Sequence, residues 1–399
     1  MAFFRNSTVN LLNLHYGIHQ IAMTGGGAFV ASYLLKSGVS IPGVFLFIAG
    51  MMMTRFIIRP LLIGIGMRIG LRALVAAGAI AGGLALLFVP EVHGIGLALF
   101  AFFSVSAIAE TVYWPSYHAY FAALGDAEHR GHQLGAREAL SAAVGIVSPL
   151  ATGWVLVALG PRWAFYATAV FAVLSVVPLL WMRDVEVKRR APGTLKMAKL
   201  GIAIFVCDGW VAAGYVIVWQ IALFTSLNEN FLSFGGALAI AALAGAIASL
   251  FLGRHIDLGH GGRAVWYAFG SLAFVTALRA LAIGDAPLAV ASNALGAIVS
   301  CLYMPTVMTA VYNEAKRSPC PLRFHVAADG GWDIGGASGL AIAALLTWLG
   351  VSLGVSIVLS FAGIAVNFIL LRRYYASSGV AVDTAAPDLA PGGETGSVL

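Results

Sequence analysis

Between Ser104 and Leu124 the chain reads SVSAIAETVYWPSYHAYFAAL: one acid, Glu110, in an apolar run, followed by Tyr113, Trp114, Tyr117 and His118. At helical spacing Glu110, Trp114 and His118 stand at i, i+4 and i+8 on one side, with Tyr113 and Tyr117 beside them. A carboxyl in a low-dielectric site can gain and lose a proton, and the rings around it offer apolar surface to an organic molecule. Asp208, after Cys207, is a second such acid. His15 and His19 form an i, i+4 pair that can titrate near neutrality, hydrogen-bond or ligate a metal. No cysteine or acid at ligand spacing completes a metal set, so a metal ranks last among these. Cys207, Cys301 and Cys320 are too scattered for a metal site or a disulfide framework. No cofactor is implied. The chain lacks a G-x-x-x-x-G-K-[ST] phosphate loop, which argues against an ATP-driven pump, and any Ser/His/Asp or zinc-hydrolase pattern, which argues against an enzyme.

The elements that carry these groups are membrane spans. Of 399 residues, 60% are hydrophobic and 10% charged, against roughly 25% charged in soluble domains; mean hydropathy is +0.91. A soluble core cannot absorb that much apolar surface, so the solvent is lipid. A carboxylate at mid-membrane depth costs about 2.5–3.5 kcal/mol on insertion scales unless it faces protein or water. Glu110 and its stripe are therefore expected to face a cavity. Twelve apolar runs reach the roughly 20 residues that a span needs: 8–35, 41–66, 71–90, 95–124, 133–159, 162–182, 199–225, 231–252, 263–283, 287–314, 323–347 and 351–372. The first continues beyond signal-peptide length and reads as a span, not a cleaved leader.

The connections are short except in the middle, where Arg183–Lys199 breaks the apolar pattern around Pro192-Gly193. The expected division is a six-helix bundle over 1–182, a cytoplasmic linker over 183–198, a second bundle over 199–375 and a disordered tail over 376–399. In a twelve-span reading Arg5, Arg68, Arg72, Arg130, six linker cations, Arg254, Arg263, Lys316, Arg317, Arg323, Arg372 and Arg373 all fall on one side. Lys36, Arg162 and Arg279 fall towards the other. The net charge of +6 thus speaks to orientation and not to nucleic acid. It places both termini and the linker in the cytoplasm. The chain also repeats. Tyr113-Trp114-Pro115-Ser116 aligns with Tyr303-Met304-Pro305-Thr306 at an offset of 190, and the same offset lays Ile63–Arg72 over Gly253–Arg263.

With these loops the chain resembles the major facilitator superfamily of secondary transporters over nearly its whole length. That family's loop after the second helix reads G-x-x-x-D-R-x-G-R-R. Here Gly253, Asp257, Gly259 and Arg263 keep much of it after span eight, while after span two Met67 replaces the Asp and Arg68, Gly70 and Arg72 survive. Gly145-Ile-Val-Ser148-Pro149-Leu-Ala-Thr152-Gly153 on span five resembles the G-x-x-G-P-x-x-G-G signature of the family's proton antiporters, with Ser148 and Thr152 in place of glycines. The fourth helix of many such antiporters carries an arginine; here it carries Glu110 instead.

The resemblance implies an all-α integral membrane fold of twelve transmembrane helices in two pseudo-symmetric six-helix bundles. Helices one, four, seven and ten would chiefly line a central cavity. Odd polar residues fall on those four: His15, Tyr16 and His19; Glu110 and its stripe; Asp208, Tyr215 and Trp219; Tyr303. Glu110 and then Asp208 are the candidate proton carriers. His15, Tyr16, His19, Tyr113, Trp114, His118, Tyr215, Trp219 and Tyr303 are the candidate substrate contacts. No arginine sits in the middle of these four spans; Arg55 on span two could intrude but is better placed towards the cytoplasmic side with Arg59, so a neutral or cationic organic solute is favoured. The fold sets the loop after span two near span eleven, and the loop after span eight near span five. Two cytoplasmic ion-pair latches are expected, Arg68 and Arg72 with Asp329 and Asp333, and Asp257 with Arg137 beside Glu138. The functional expectation is proton-coupled transport by alternating access, as a monomer in a bacterial inner membrane. Its partners are the lipid bilayer, protons and a small molecule, with export favoured over uptake by a symporter or facilitator. A non-transporting receptor or assembly component is the alternative of another class.

Overall fold

The computed structural model describes residues 7–124, 130–256 and 261–383, and their regular structure is helical throughout. Ten helices among them are long and apolar enough to cross a membrane. Two further stretches, 7–36 and Pro321–Trp348, occupy the places of spans one and eleven, and these carry the histidine pair and the Asp329/Asp333 pair. The expected limits hold to within a few residues, apart from three features. Span two continues from Ile41–Ile58 into Leu61–Leu86, and the corner to span three is Gly70, whose φ of +79° only glycine adopts without strain. The last helix, Ser360–Asp383, runs past residue 375, where the apolar pattern ends. Spans one and seven are each interrupted by a π-helical turn, Met23–Gly27 and Ala213–Val218.

Those two π turns lie 190 residues apart, and so do the corners and caps. Positive φ recurs at Gly38 and Asn228, at Gly94 and Gly284, and at Gly160 and Gly350. Ser40 accepts a hydrogen bond from the Gly43 amide at 3.3 Å, and Asn230 accepts one from the Ser233 amide at 2.9 Å, each capping the helix that follows. Two six-helix bundles of like frame result.

The bundles meet along spans two and eleven and along spans five and eight. Glycine makes the second seam close: a Cβ on Gly235 would stand 2.5 Å from the Pro149 carbonyl, and one on Gly153 2.6 Å from that of Phe231. Within the first bundle, Ser148 and Thr152 pack where a Cβ on Gly25 would lie, and the Ser148 hydroxyl donates to the Ile21 carbonyl at 2.9 Å. The small residue missing from span five is thus supplied by the π turn of span one. Gly335 packs against the Val206 carbonyl, so the glycines of span eleven serve close packing against span seven.

Candidate functional site

A cavity of about 590 Å³ lies between the bundles. Span one gives it His19 and the edge of the π turn; span four gives Phe102, Phe103, Ser106, Glu110, Tyr113 and Trp114. Spans one and four line it, but the lining is not shared evenly among one, four, seven and ten. Span three opens it with Gly78, Gly82 and Ala85, and spans two, five and eight contribute as well. Span seven gives Ile217 and Gln220, span eleven gives Trp332, and span ten gives no residue among those described. The wall is mostly apolar, with its charged groups gathered beside Glu110.

Beside it is Arg55, which reaches into the cavity, so the expectation of a cavity without an arginine fails, although Arg55 does lie one turn from Arg59 as expected. Arg55 donates to Glu110 through Nη1, and its Nη2 stands 3.0 Å from Asp333 Oδ1. Arg59, one turn on, donates to Asp333 from Nη2 and, at 3.1 Å, from Nε, and to Asp329 at 3.4 Å. Two i, i+4 pairs of opposite charge, one on each bundle, therefore interlock across the seam. Arg59 and Asp333 are fully buried, at 1% and 0% side-chain exposure. Removing one partner of such a pair strands the other and costs several kcal/mol.

The acids of span eleven thus meet Arg55 and Arg59, not Arg68 and Arg72. Arg68 is exposed. The Arg72 amide donates to Asp184 and its guanidinium to the Met182 carbonyl, both at 2.9 Å, which ties the Gly70 corner to the start of the linker. The physical reason is reach: the Gly70 corner turns the chain towards the linker before Arg72, while Arg55 and Arg59 point along span two at span eleven. Asp257 lies outside the described residues. Arg137 and Glu138 fall in the helix Arg130–Ala158, on a stretch whose side chains are outside them.

The other candidates separate into four groups. His15 Nδ1 donates to the Ser175 carbonyl at 2.7 Å, which leaves Nε2 to accept from the Tyr113 hydroxyl at 3.0 Å. His19 stacks on Tyr113 at 4.1 Å between ring centres, and Tyr16 on Tyr117 at 5.1 Å. His118 lies towards the basic end, where it bonds the Tyr312 hydroxyl at 2.7 Å and stacks on His325 of the other bundle at 5.5 Å. Asp208 accepts from the Tyr303 hydroxyl at 2.5 Å and from Trp332 Nε1 at 3.1 Å. Trp332 links it to the cavity, since the Arg55 guanidinium lies 5.5 Å over its ring. Tyr215 and Trp219 stand apart. The buried Arg279 of span nine covers their rings at 4.0 and 4.9 Å and donates to the Tyr215 carbonyl at 2.5 Å. Arg279 is therefore an interior residue and not a charge of the far end.

Beyond the cavity on that far end, Lys36 pairs with Glu229 of the other bundle at 3.3 Å and Phe29 packs on Phe234. On the basic end, His118 meets Tyr312 and His325. Two helical bundles thus enclose the cavity and touch each other on both sides of it. The chain belongs to the Major Facilitator Superfamily, whose model matches residues 16–226. Among solved structures it is similar to the human organic anion transporter MFSD10 (TETRAN), with a TM-score of 0.66 and 13% identity over 91% of this chain and 98% of that one. It is also similar to a POT family transporter in complex with a thioalcohol-conjugated peptide, with a TM-score of 0.62 and 14% identity over 93% and 96%. A POT family transporter in complex with 5-aminolevulinic acid gives a TM-score of 0.61 and 13% identity over 92% and 96%. No curated protein matches it in sequence. The chain is a multi-pass membrane protein and a secondary transporter by family.

Proposed function

We propose that this protein moves a small neutral or cationic organic solute across the inner membrane of a bacterium, coupled to protons, by alternating access. The observation that carries this reading is Glu110. It is the one acid among the described residues that lines the cavity, and it is paired there with an arginine that also faces the seam between the bundles. A group that exchanges a proton at that point changes the charge on Arg55's partners, and with it the hold of one bundle on the other. Asp208 is the second proton carrier, reached from the cavity through Trp332. The solute lies among His19, Tyr113, Trp114 and Trp332, and the Arg55–Arg59 pair with Asp329 and Asp333 forms the gate. The bias of basic residues supports cytoplasmic termini, and the span-five motif supports export by antiport.

The test is proton release into weak buffer on adding solute pools to the purified protein, followed by flux in proteoliposomes under an imposed pH gradient. Release and gradient-driven flux in the wild type, both lost in Glu110→Gln, are expected. Equal release from wild type and Glu110→Gln would move the proton site away from span four.

A further inference from the structure

The charges of the site do not balance. Glu110, Arg55, Asp333, Arg59 and Asp329 touch in sequence across the seam, three acids and two arginines. In their ordinary forms they carry one net negative charge, which is unfavourable at this depth. The cluster is complete only with one more positive charge. Glu110 is the acid open to such a charge: its side chain is 31% exposed and lines the cavity, whereas Asp333 is sealed.

The two arginines are held differently. Arg59 hydrogen-bonds both acids of span eleven. Arg55 meets Asp333 by charge alone: Asp333 Oδ1 and Arg55 Nε are both without a hydrogen bond. Its hydrogen bond goes to Glu110, and its guanidinium lies over Trp332, a ring that faces the cavity. A carboxylate, an aromatic face and an apolar hollow together make a seat for an organic cation. Arg55 is sitting in it.

Resting on the transport reading above, we propose that the solute is an organic monocation, with an ammonium-, phosphonium- or guanidinium-like head on an apolar body, and that Arg55 is a tethered placeholder that this head displaces from Glu110. The displaced Arg55 stays with Asp333, so that two arginines and two acids close a neutral set across the seam while the solute neutralises Glu110. A proton on Glu110 leaves the same balance. The cluster therefore holds one extra positive charge at a time, either a proton or the solute, and exchange of one for the other is electroneutral.

The experiment is calorimetric binding of tetraphenylphosphonium, and of tetraphenylborate as a size-matched anion, to the purified full chain. Flux of the cation in proteoliposomes at set membrane potentials follows. The wild type is expected to prefer the cation. Arg55→Gln, which removes the competitor, is expected to bind it about tenfold more tightly, and Glu110→Gln at least tenfold more weakly. Arg55→Lys keeps a charge with shorter reach and is expected to fall between wild type and Arg55→Gln; it serves if Arg55→Gln does not fold. Exchange is expected to be insensitive to membrane potential. Unchanged or weaker cation binding in a folded Arg55 variant, preference for the anion, or no binding to the wild type overturns the proposal. So does proton-driven flux of a neutral solute that Arg55→Gln leaves intact, though the transport reading then stands. Absence of proton-driven flux for every solute pool would sink both.

Discussion

The two bundles share a frame and differ in what occupies it. At the offset of 190 their left-handed corners, π turns, helix caps, mid-helix prolines and the tyrosines Tyr113 and Tyr303 coincide. Yet Gly82 and Ala85, small residues on the cavity wall of the first bundle, correspond to Leu272 and Val275 in the second, both almost fully buried. Ser106, on the cavity wall, corresponds to Gly296, and a Cβ on Gly296 would collide with the Arg279 guanidinium. The second bundle is thus filled where the first is open, with an arginine as part of the filling. The arginines differ in the same way. Arg55 and Arg59 are answered by acids of the other bundle, whereas Arg279 is answered by two rings and a carbonyl. The repeat maintains the frame, and the cavity lies where the copies depart from each other.

The contrast can be broken by experiment. Asp333→Asn leaves two buried guanidinium groups short of charge and is expected to cost about 3–5 kcal/mol, read as a large drop in melting temperature in detergent. A drop no larger than that of a surface control would mean that the seam is not held by charge. Gly82→Leu copies Leu272 of the filled bundle into the open one. A Cβ at Gly82 meets nothing closer than Ala109 at 4.0 Å, so the variant should fold, with solute binding reduced at least tenfold as the side chain occupies the cavity. Arg279→Met removes a buried charge that meets no acid among the described residues, so its cost should stay below about 2 kcal/mol, with solute affinity within about threefold of wild type. A loss as large as that of Asp333→Asn would make the two kinds of arginine equivalent after all. The smallest effect is expected at Arg68→Ala, within about 0.5 kcal/mol and without change in flux, because Arg68 is exposed and span eleven takes its cations from span two.

Much of this frame was legible in the sequence, because each span is written locally. Apolar runs, corner glycines and the sidedness of lysine and arginine need no knowledge of distant partners. Glu110, Tyr113, Trp114 and His19 were legible as cavity residues for a related reason: they are polar or aromatic interruptions in apolar helices. Arg55 and Arg59 were not recognised as the partners of Asp329 and Asp333, because a basic residue near the end of a span looks the same whether it faces the cytoplasm or an acid on another helix. The available signal was the match between two i, i+4 pairs, Arg55/Arg59 and Asp329/Asp333, on spans that the fold brings together. The π turns and the role of Arg279 left no such trace. They depend on how Gly25 and Gly296 are filled by side chains from elsewhere in the chain.

The interlocked pairs also impose an order on how the protein is made. Arg55 and Glu110 are separated by 55 residues, but Arg59 and Asp333 by 274. At ribosomal rates of roughly 5–20 residues per second, Arg55 waits roughly 3–11 s for its acid, whereas Arg59 waits roughly 14–55 s. Span two must therefore be held during synthesis in a setting that tolerates a bare guanidinium, at the wall of the insertion channel or drawn up to the lipid headgroups. Its pairing across the seam is completed only when span eleven arrives with Asp329 and Asp333.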